Sequence, residues 1–216
     1  MNYLFISIWC FIISFSYANM SKDIKQFIDK NNDMNENVST DTIVLGAGCF
    51  WCVEAIFQNV NGVLEVIPGY CNGSTKNPSY KEVCSGKSGH AEVARIVYDS
   101  QKIKLSSLLE VFWKTHDPTT LNRQGNDIGS QYRSGIFCLN NDQLEQAQDY
   151  KDQLDFEKIW SNPIVTQIEL LDEFYEAENY HHNYYNNNRN QGYCKYIIEP
   201  KIDKYNKVFG TLGSEK

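Results

Sequence analysis

The chain has 216 residues, 42% of them hydrophobic and 13% aromatic, enough to bury one substantial core with room for a small appendage. A formal net charge of -7, with no cluster of Lys and Arg, excludes a binder of nucleic acids or other polyanions, because neutralising phosphates needs concentrated positive charge. Of the seven cysteines, Cys10, Cys49, Cys52, Cys71, Cys84, Cys138 and Cys194, several sit inside apolar runs where a buried free thiol is the ordinary occupant, which argues against a disulfide framework.

Residues 1–21 carry no Asp, Glu, Lys or Arg, and residues 3–15 are mostly apolar, a run too short for a comfortable membrane span. Ser16 and Ala18 place small residues where a signal peptidase reads, which predicts a signal peptide over 1–18 and an exported protein. The alternatives are a retained membrane anchor, or a cytoplasmic protein starting at Met20. Residues 19–40, rich in Asn, Asp, Lys and Ser, read as a flexible linker. The catalytic domain is expected over 41–210, with 211–216 as a short tail.

Residues 42–45 form a β-branched run buried on both faces, and Gly46-Ala47-Gly48 permits a tight turn into Cys49. Apolar residues at Val53, Ile56, Phe57 and Val60 have helical spacing. Strands follow over 63–70 and 91–98, separated by a loop over 71–79 with two turn-forming Asn pairs. A helix over 105–116 buries Leu108, Leu109, Phe112 and Trp113 and ends at Asp117-Pro118. A loop over 119–131, a strand over 132–139, a polar helix over 142–156 and a strand over 164–171 complete the pattern. The order βαββαβ with an added helix and strand predicts an α+β fold, a two-layer sandwich with a mixed sheet on a split βαβ (ferredoxin-like) core. The tail from residue 176 reads as irregular coil wrapping the core, with one helix near 177–187.

A cysteine between a buried strand and a helix start lies where unpaired N–H groups and the positive end of the helix dipole favour a thiolate, so Cys49 is the expected nucleophile. A lone cysteine there would ordinarily be turn filling; the Gly-x-Gly lead-in favours reactivity. Cys49 and Cys52 form C-x-x-C, which suits reversible disulfide chemistry and keeps general thiol-disulfide exchange open as a rival function. A zinc site lacks a second closely spaced ligand pair, since Cys71, Cys84, His90 and the His181-His182 pair show no recognised spacing. No metal or organic cofactor is expected. Cys71, Cys84 and Cys138 are expected in the core, His181 as a structural histidine and His182 on the surface.

Gly48-Cys49-Phe50-Trp51, followed by Val53-Glu54, resembles the signature of the peptide methionine sulfoxide reductase A family. The likeness continues through Asn77-Pro78-Ser79-Tyr80, Gly89-His90-Ala91-Glu92, His116-Asp117-Pro118, Gly125-Asn126-Asp127, Gln131-Tyr132-Arg133-Ser134 and Gly192-Tyr193-Cys194, covering most of residues 42–205. The resemblance implies reduction of methionine (S)-sulfoxide, free and in proteins, with Cys49 passing through a sulfenic acid and a thioredoxin-type dithiol restoring the enzyme. It implies that Phe50 and Trp51 form an aromatic cup for the S-methyl group, that Glu92 donates the proton, that Tyr80 and Tyr132 are hydroxyl donors at the sulfoxide oxygen, and that Asp127 supports this network. To donate near neutral pH, Glu92 must be desolvated and its pKa raised. Cys194 resembles the resolving cysteine. Many relatives have glycine where this chain has Cys52, and no cysteine follows Cys194, so Cys194, Cys52 or both could resolve; Cys194 is preferred, since adjacent thiols on one helical turn can be held too stiffly to close around a bound product. A monomer is expected. A third reading, a non-catalytic methionine-binding module, would tolerate loss of the Cys49 sulfur.

Overall fold

The computed structural model describes residues 39–210, so the expected leader over 1–18, most of the linker and the tail over 211–216 lie outside the described residues. Strand β1 (Thr40–Ala47) leads through the Gly48-Cys49 turn into helix α1 (Phe50–Phe57), then strand β2 (Val63–Cys71), short helix α2 (Tyr80–Cys84), strand β3 (Ala91–Asp99) and helix α3 (Leu105–Thr115). After a small hairpin, β4 (Arg123–Gln124) and β5 (Asp127–Ile128), come β6 (Ser134–Cys138), α4 (Asn141–Phe156), β7 (Gln167–Leu170) and β8 (Phe174–Glu176). The expected order of elements through residue 170 is therefore present.

The six-stranded sheet runs β7-β6-β1-β3-β2-β8. Neighbours are antiparallel except β6 and β7, which are parallel, so the sheet is mixed. α1 joins β1 to β2 across a gap that β3 fills. One face of the sheet, with Ile43, Leu45, Ala94, Ile96 and Ile136, packs beneath Val53, Ile56 and Phe57 of α1 and Leu108, Leu109 and Phe112 of α3. The other face carries Val44, Val93 and Phe137 under Leu171 and Phe174. This explains the unbroken apolar run in β1: alternate residues enter cores on opposite sides.

Residues 80–84, which the sequence pattern leaves unassigned, are helical because Ser79 and Glu82 make a reciprocal capping box. Two placements differ from expectation. Cys84, at the end of that single turn, is exposed, whereas Cys71 and Cys138 are buried as expected. The irregular tail ends at residue 193. The region expected as one helix near 177–187 holds only a 3-10 turn (Asn179–His181) and the short α5 (Tyr184–Asn187). The longer helix comes later, as a π turn (Cys194–Ile198) running into α6 (Glu199–Phe209). Pro200 sits at the start of α6, where a missing N–H costs nothing; Tyr205 of α6 is buried, as is Ile198 at the end of the π turn before it.

The turn that delivers Cys49 depends on Gly48. Its φ is +90°, and a Cβ there would lie 2.6 Å from Cβ of Gln124. Gly48→Ala is expected to destabilise the fold by about 1–3 kcal/mol, read from chemical denaturation. An unchanged midpoint would contradict this account of the turn.

Candidate active site

Cys49 is the N-cap of α1 and makes no side-chain cap of its own. The cap comes from β3: the Phe50 N–H donates to Oε2 of Glu92 at 3.2 Å. Glu92 is fully buried, and its Oε1 has no hydrogen-bond partner. Burial pushes its pKa up to about 8, so the carboxyl is protonated at neutral pH. Read in isolation, a glutamate on this strand would be surface; the structure instead places it at the sheet centre, paired in register with Tyr70 of β2.

Cys49 is only 6% exposed. Burial, the hydrogen bond with Cys52 and the nearby Glu92 raise its pKa well above the usual thiol range. Cys52, on the same first turn, is pulled down to about 7 by the hydrogen bond from Cys49, with the Lys201 ammonium and Tyr193 adding to it. The thiolate expected at Cys49 is thus disfavoured in the resting protein: burial opposes charge on that sulfur, and Cys52 is the better-partnered sulfur of the pair.

Tyr80 and Tyr132 are half-buried, and burial with the nearby Glu92 raises both phenols; Cys84 contributes for Tyr80 and Cys49 for Tyr132. The structure therefore brings Cys49, Cys52, Glu92, Tyr80 and Tyr132 together. Asp127, on the small hairpin, accepts a hydrogen bond from the Tyr193 hydroxyl at 2.8 Å. Tyr193 also hydrogen-bonds the Cys49 and Cys52 sulfurs.

The aromatic pair has a richer setting than the sequence foretells. Phe50 is wholly buried, with ring centroids 4.9 Å from His181 and 5.8 Å from Tyr70. Trp51 is half-exposed and stacks face to face on Tyr184, centroids 3.7 Å apart, with Tyr193 edge-on at 5.7 Å. Its Nε1 donates to Nδ1 of His181 at 3.1 Å. His181 is therefore an acceptor at Nδ1, and burial keeps its pKa below the usual histidine range, the structural role expected of it. His182, expected as solvated surface, is half-buried and its Nε2 bonds the Ala177 carbonyl at 2.9 Å.

Tyr184 and Tyr193 were missed because only the folded tail brings them here. Two buried or half-buried carboxylates fasten that tail. Glu54, 1% exposed, accepts from the backbone N–H groups of Asn183 at 2.7 Å and Tyr184 at 3.2 Å. Glu178 accepts from the Tyr70 hydroxyl at 2.8 Å and the Tyr80 N–H at 2.9 Å. Glu54→Ala removes one clasp and strands two donors, so a stability loss of about 2 kcal/mol and faster proteolysis within residues 183–193 are expected. Limited proteolysis with mass mapping checks this, and unaltered cleavage kinetics would refute it. Cys194 is fully buried in the same cluster as Cys49 and Cys52. Beside it a cleft of about 450 Å³ is lined by Gln124, Asp127, Tyr193, Tyr196 and Lys201. Among the described residues no group of three or more His, Cys, Asp or Glu side chains could hold a metal ion.

Two interacting sulfurs at a helix mouth, facing a protonated buried carboxyl, define the thiol-based oxidoreductases as the class of this site. Residues 41–212 match the family model of peptide methionine sulfoxide reductase. A peptide methionine sulfoxide reductase MsrA from Trichodesmium erythraeum is 53% identical over 169 residues, covering 78% of this chain and 96% of that protein. One from Leptospira borgpetersenii is 54% identical over 164 residues, covering 76% and 92%. Among solved structures, reduced Mxr1 from Saccharomyces cerevisiae superposes with a TM-score of 0.67 at 36% identity, covering 72% of this chain and 90% of that one. Methionine sulfoxide reductase A of Corynebacterium diphtheriae gives 0.66 at 35% identity, covering 73% and 78%. This chain belongs to the peptide methionine sulfoxide reductase A family.

Proposed function

We propose that the protein reduces methionine (S)-sulfoxide, free and in proteins, to methionine, repairing oxidised proteins. The observation that carries the reading is Glu92: a wholly buried, protonated carboxyl with a free oxygen, held beside a two-cysteine centre. Thiol-disulfide exchange alone has no use for such an acid; breaking a sulfur-oxygen bond does, since the departing oxygen must gain a proton.

Cys49 sulfur bonds to the sulfoxide sulfur while its proton passes to Cys52 and Glu92 protonates the oxygen. Tyr80 and Tyr132 donate hydrogen bonds to that oxygen, with Asp127 and Tyr193 bracing the polar side. Transfer of the hydroxyl to Cys49 releases the thioether, so substrate sulfur gains two electrons and Cys49 becomes a sulfenic acid. A neighbouring thiol then condenses with it to a disulfide, which a thioredoxin-type dithiol reduces. Phe50 and Trp51 supply the aromatic surface for the methyl group. Selectivity for the S epimer follows the family, whose repair enzymes divide the two epimers between them.

Incubation with a racemic methyl aryl sulfoxide and dithiothreitol, followed on a chiral column, tests this. Consumption of one enantiomer is expected; consumption of neither would overturn the reading in favour of simple disulfide exchange or binding. We also propose export with cleavage after Ala18, supported by the small residues at 16 and 18. Edman sequencing of the native protein should begin at Asn19, and a start at Met1 would refute cleavage.

A further inference from the structure

Lys201 lies on α6. It lines a small cavity with Ala47, Cys52, Val53 and His116, and on its other side the cleft that holds Asp127 and Tyr193. The lysine is half-buried and forms no ion pair with a carboxylate among the described residues. The only other basic group in that small cavity is His116. Its ring nitrogens are engaged by the Phe112 carbonyl at 2.6 Å and the Ser134 hydroxyl at 2.7 Å. Burial takes its pKa down to about 4, so it is neutral. The positive charge that faces Cys52 is therefore Lys201.

We propose that Lys201 is a positioning residue that keeps Cys52 ionised, making Cys52 the sulfur that closes onto the Cys49 sulfenic acid. The proposal rests on the sulfoxide reductase reading and names its resolving step. Around Cys52, Cys49 donates a hydrogen bond to its sulfur and the Tyr193 hydroxyl, which donates to Asp127, lies beside it, while the Asp127 charge opposes ionisation. Glu92 and Cys194 also lie within electrostatic reach. The low Cys52 pKa, about 7, agrees with this balance, its causes being the Cys49 hydrogen bond first and Lys201 among the rest.

Geometry favours Cys52 over Cys194. Residues three apart on a helix have Cα atoms about 5 Å apart, inside the span a disulfide bridges. Cys52 already hydrogen-bonds Cys49, whereas Cys194, in the π turn, interacts with Cys52 rather than with Cys49. In the step proposed, the Cys52 sulfur attacks the Cys49 sulfur, the S–S bond forms as the S–O bond breaks, and the hydroxide leaves with the proton that Cys52 took earlier, as water. Lys201 favours release of that proton by stabilising the anion left behind.

The test uses Lys201→Met and Lys201→Arg. In a Cys49→Ser, Cys194→Ser background, iodoacetamide labelling of Cys52, followed by mass spectrometry across pH, should slow about fivefold at pH 7 in Lys201→Met and recover in Lys201→Arg. With all cysteines present and one equivalent of sulfoxide, the parent protein should give a Cys49–Cys52 bridge. Lys201→Met should instead accumulate sulfenic acid trapped by dimedone. An unshifted labelling profile, or a Cys49–Cys194 bridge as the first product, would overturn the proposal. Failure of the parent protein to form methionine would sink the reductase reading, and the labelling arm would still decide the role of Lys201.

Discussion

Replacing Cys49 by serine is expected to lower sulfoxide reduction by about 10⁴-fold or more, with the fold intact. Serine occupies the same turn and can still donate to Cys52, so packing and the neighbouring charge survive. What disappears is a polarisable sulfur able to accept the oxygen and hold it as a sulfenic acid. An alkoxide at that position has neither the acidity nor the capacity to be oxidised by two electrons. Methionine release with excess dithiothreitol, with circular dichroism as the check on folding, measures this. A Cys49→Ser variant that still turned over at a hundredth of the parent rate would mean that oxygen leaves by another route.

Glu92→Gln should cost about 10²- to 10³-fold in the reduction step, because the amide keeps the hydrogen bond from the Phe50 N–H but is no acid. In the parent protein the rate should fall as pH rises through about 8, where Glu92 loses its proton. That alkaline limb should be absent from the residual activity of the variant. Stability should move the other way. In the unfolded chain the carboxyl ionises near an ordinary ~4.3, whereas in the native state it keeps its proton up to about 8. The native state thus binds an extra proton between these values, and the stability of the parent falls as pH rises across that window. Glu92→Gln removes the penalty, so its urea midpoint should exceed that of the parent at pH 8 and converge with it near pH 4. An acid kept neutral by burial is a catalytic asset held at the expense of folding free energy. A lower midpoint for the variant at pH 8 would show that the carboxyl contributes to stability in some other way.

Most of the fold was legible because its signals are local. The apolar run before Gly48, the helical spacing from Val53 to Val60 and the stripe from Leu108 to Trp113 each carry their own period, and the chain obeys them. Where reading went astray, the deciding contact was distant or the signal brief. The capping box at Ser79 and Glu82 supports a single turn, too short for any periodicity to register. α6 was obscured by Pro200, which reads as a breaker until its place at a helix start is known. The site divides in the same way. Cys49 announces itself by its position after a glycine turn, while Glu92, Tyr80 and Tyr132 came only through family likeness, since nothing local shows that a strand glutamate will be buried. Which sulfur carries the charge was not legible at all. The hydrogen bond from Cys49 is local, but Lys201 and Tyr193, which add to it, are brought in by a tail nearly 150 residues away in sequence.

The stack of Tyr184 on Trp51 also gives the molecule an optical voice. Of its four tryptophans, Trp113 and Trp160 line a separate cavity, and among the described residues Trp51 is the one stacked on a phenol of the tail. Any lifting of residues 184–193 to admit a peptide or present a disulfide strips the Tyr184 phenol from the ring. Its emission should then report the opening of the site in real time, with no dye attached.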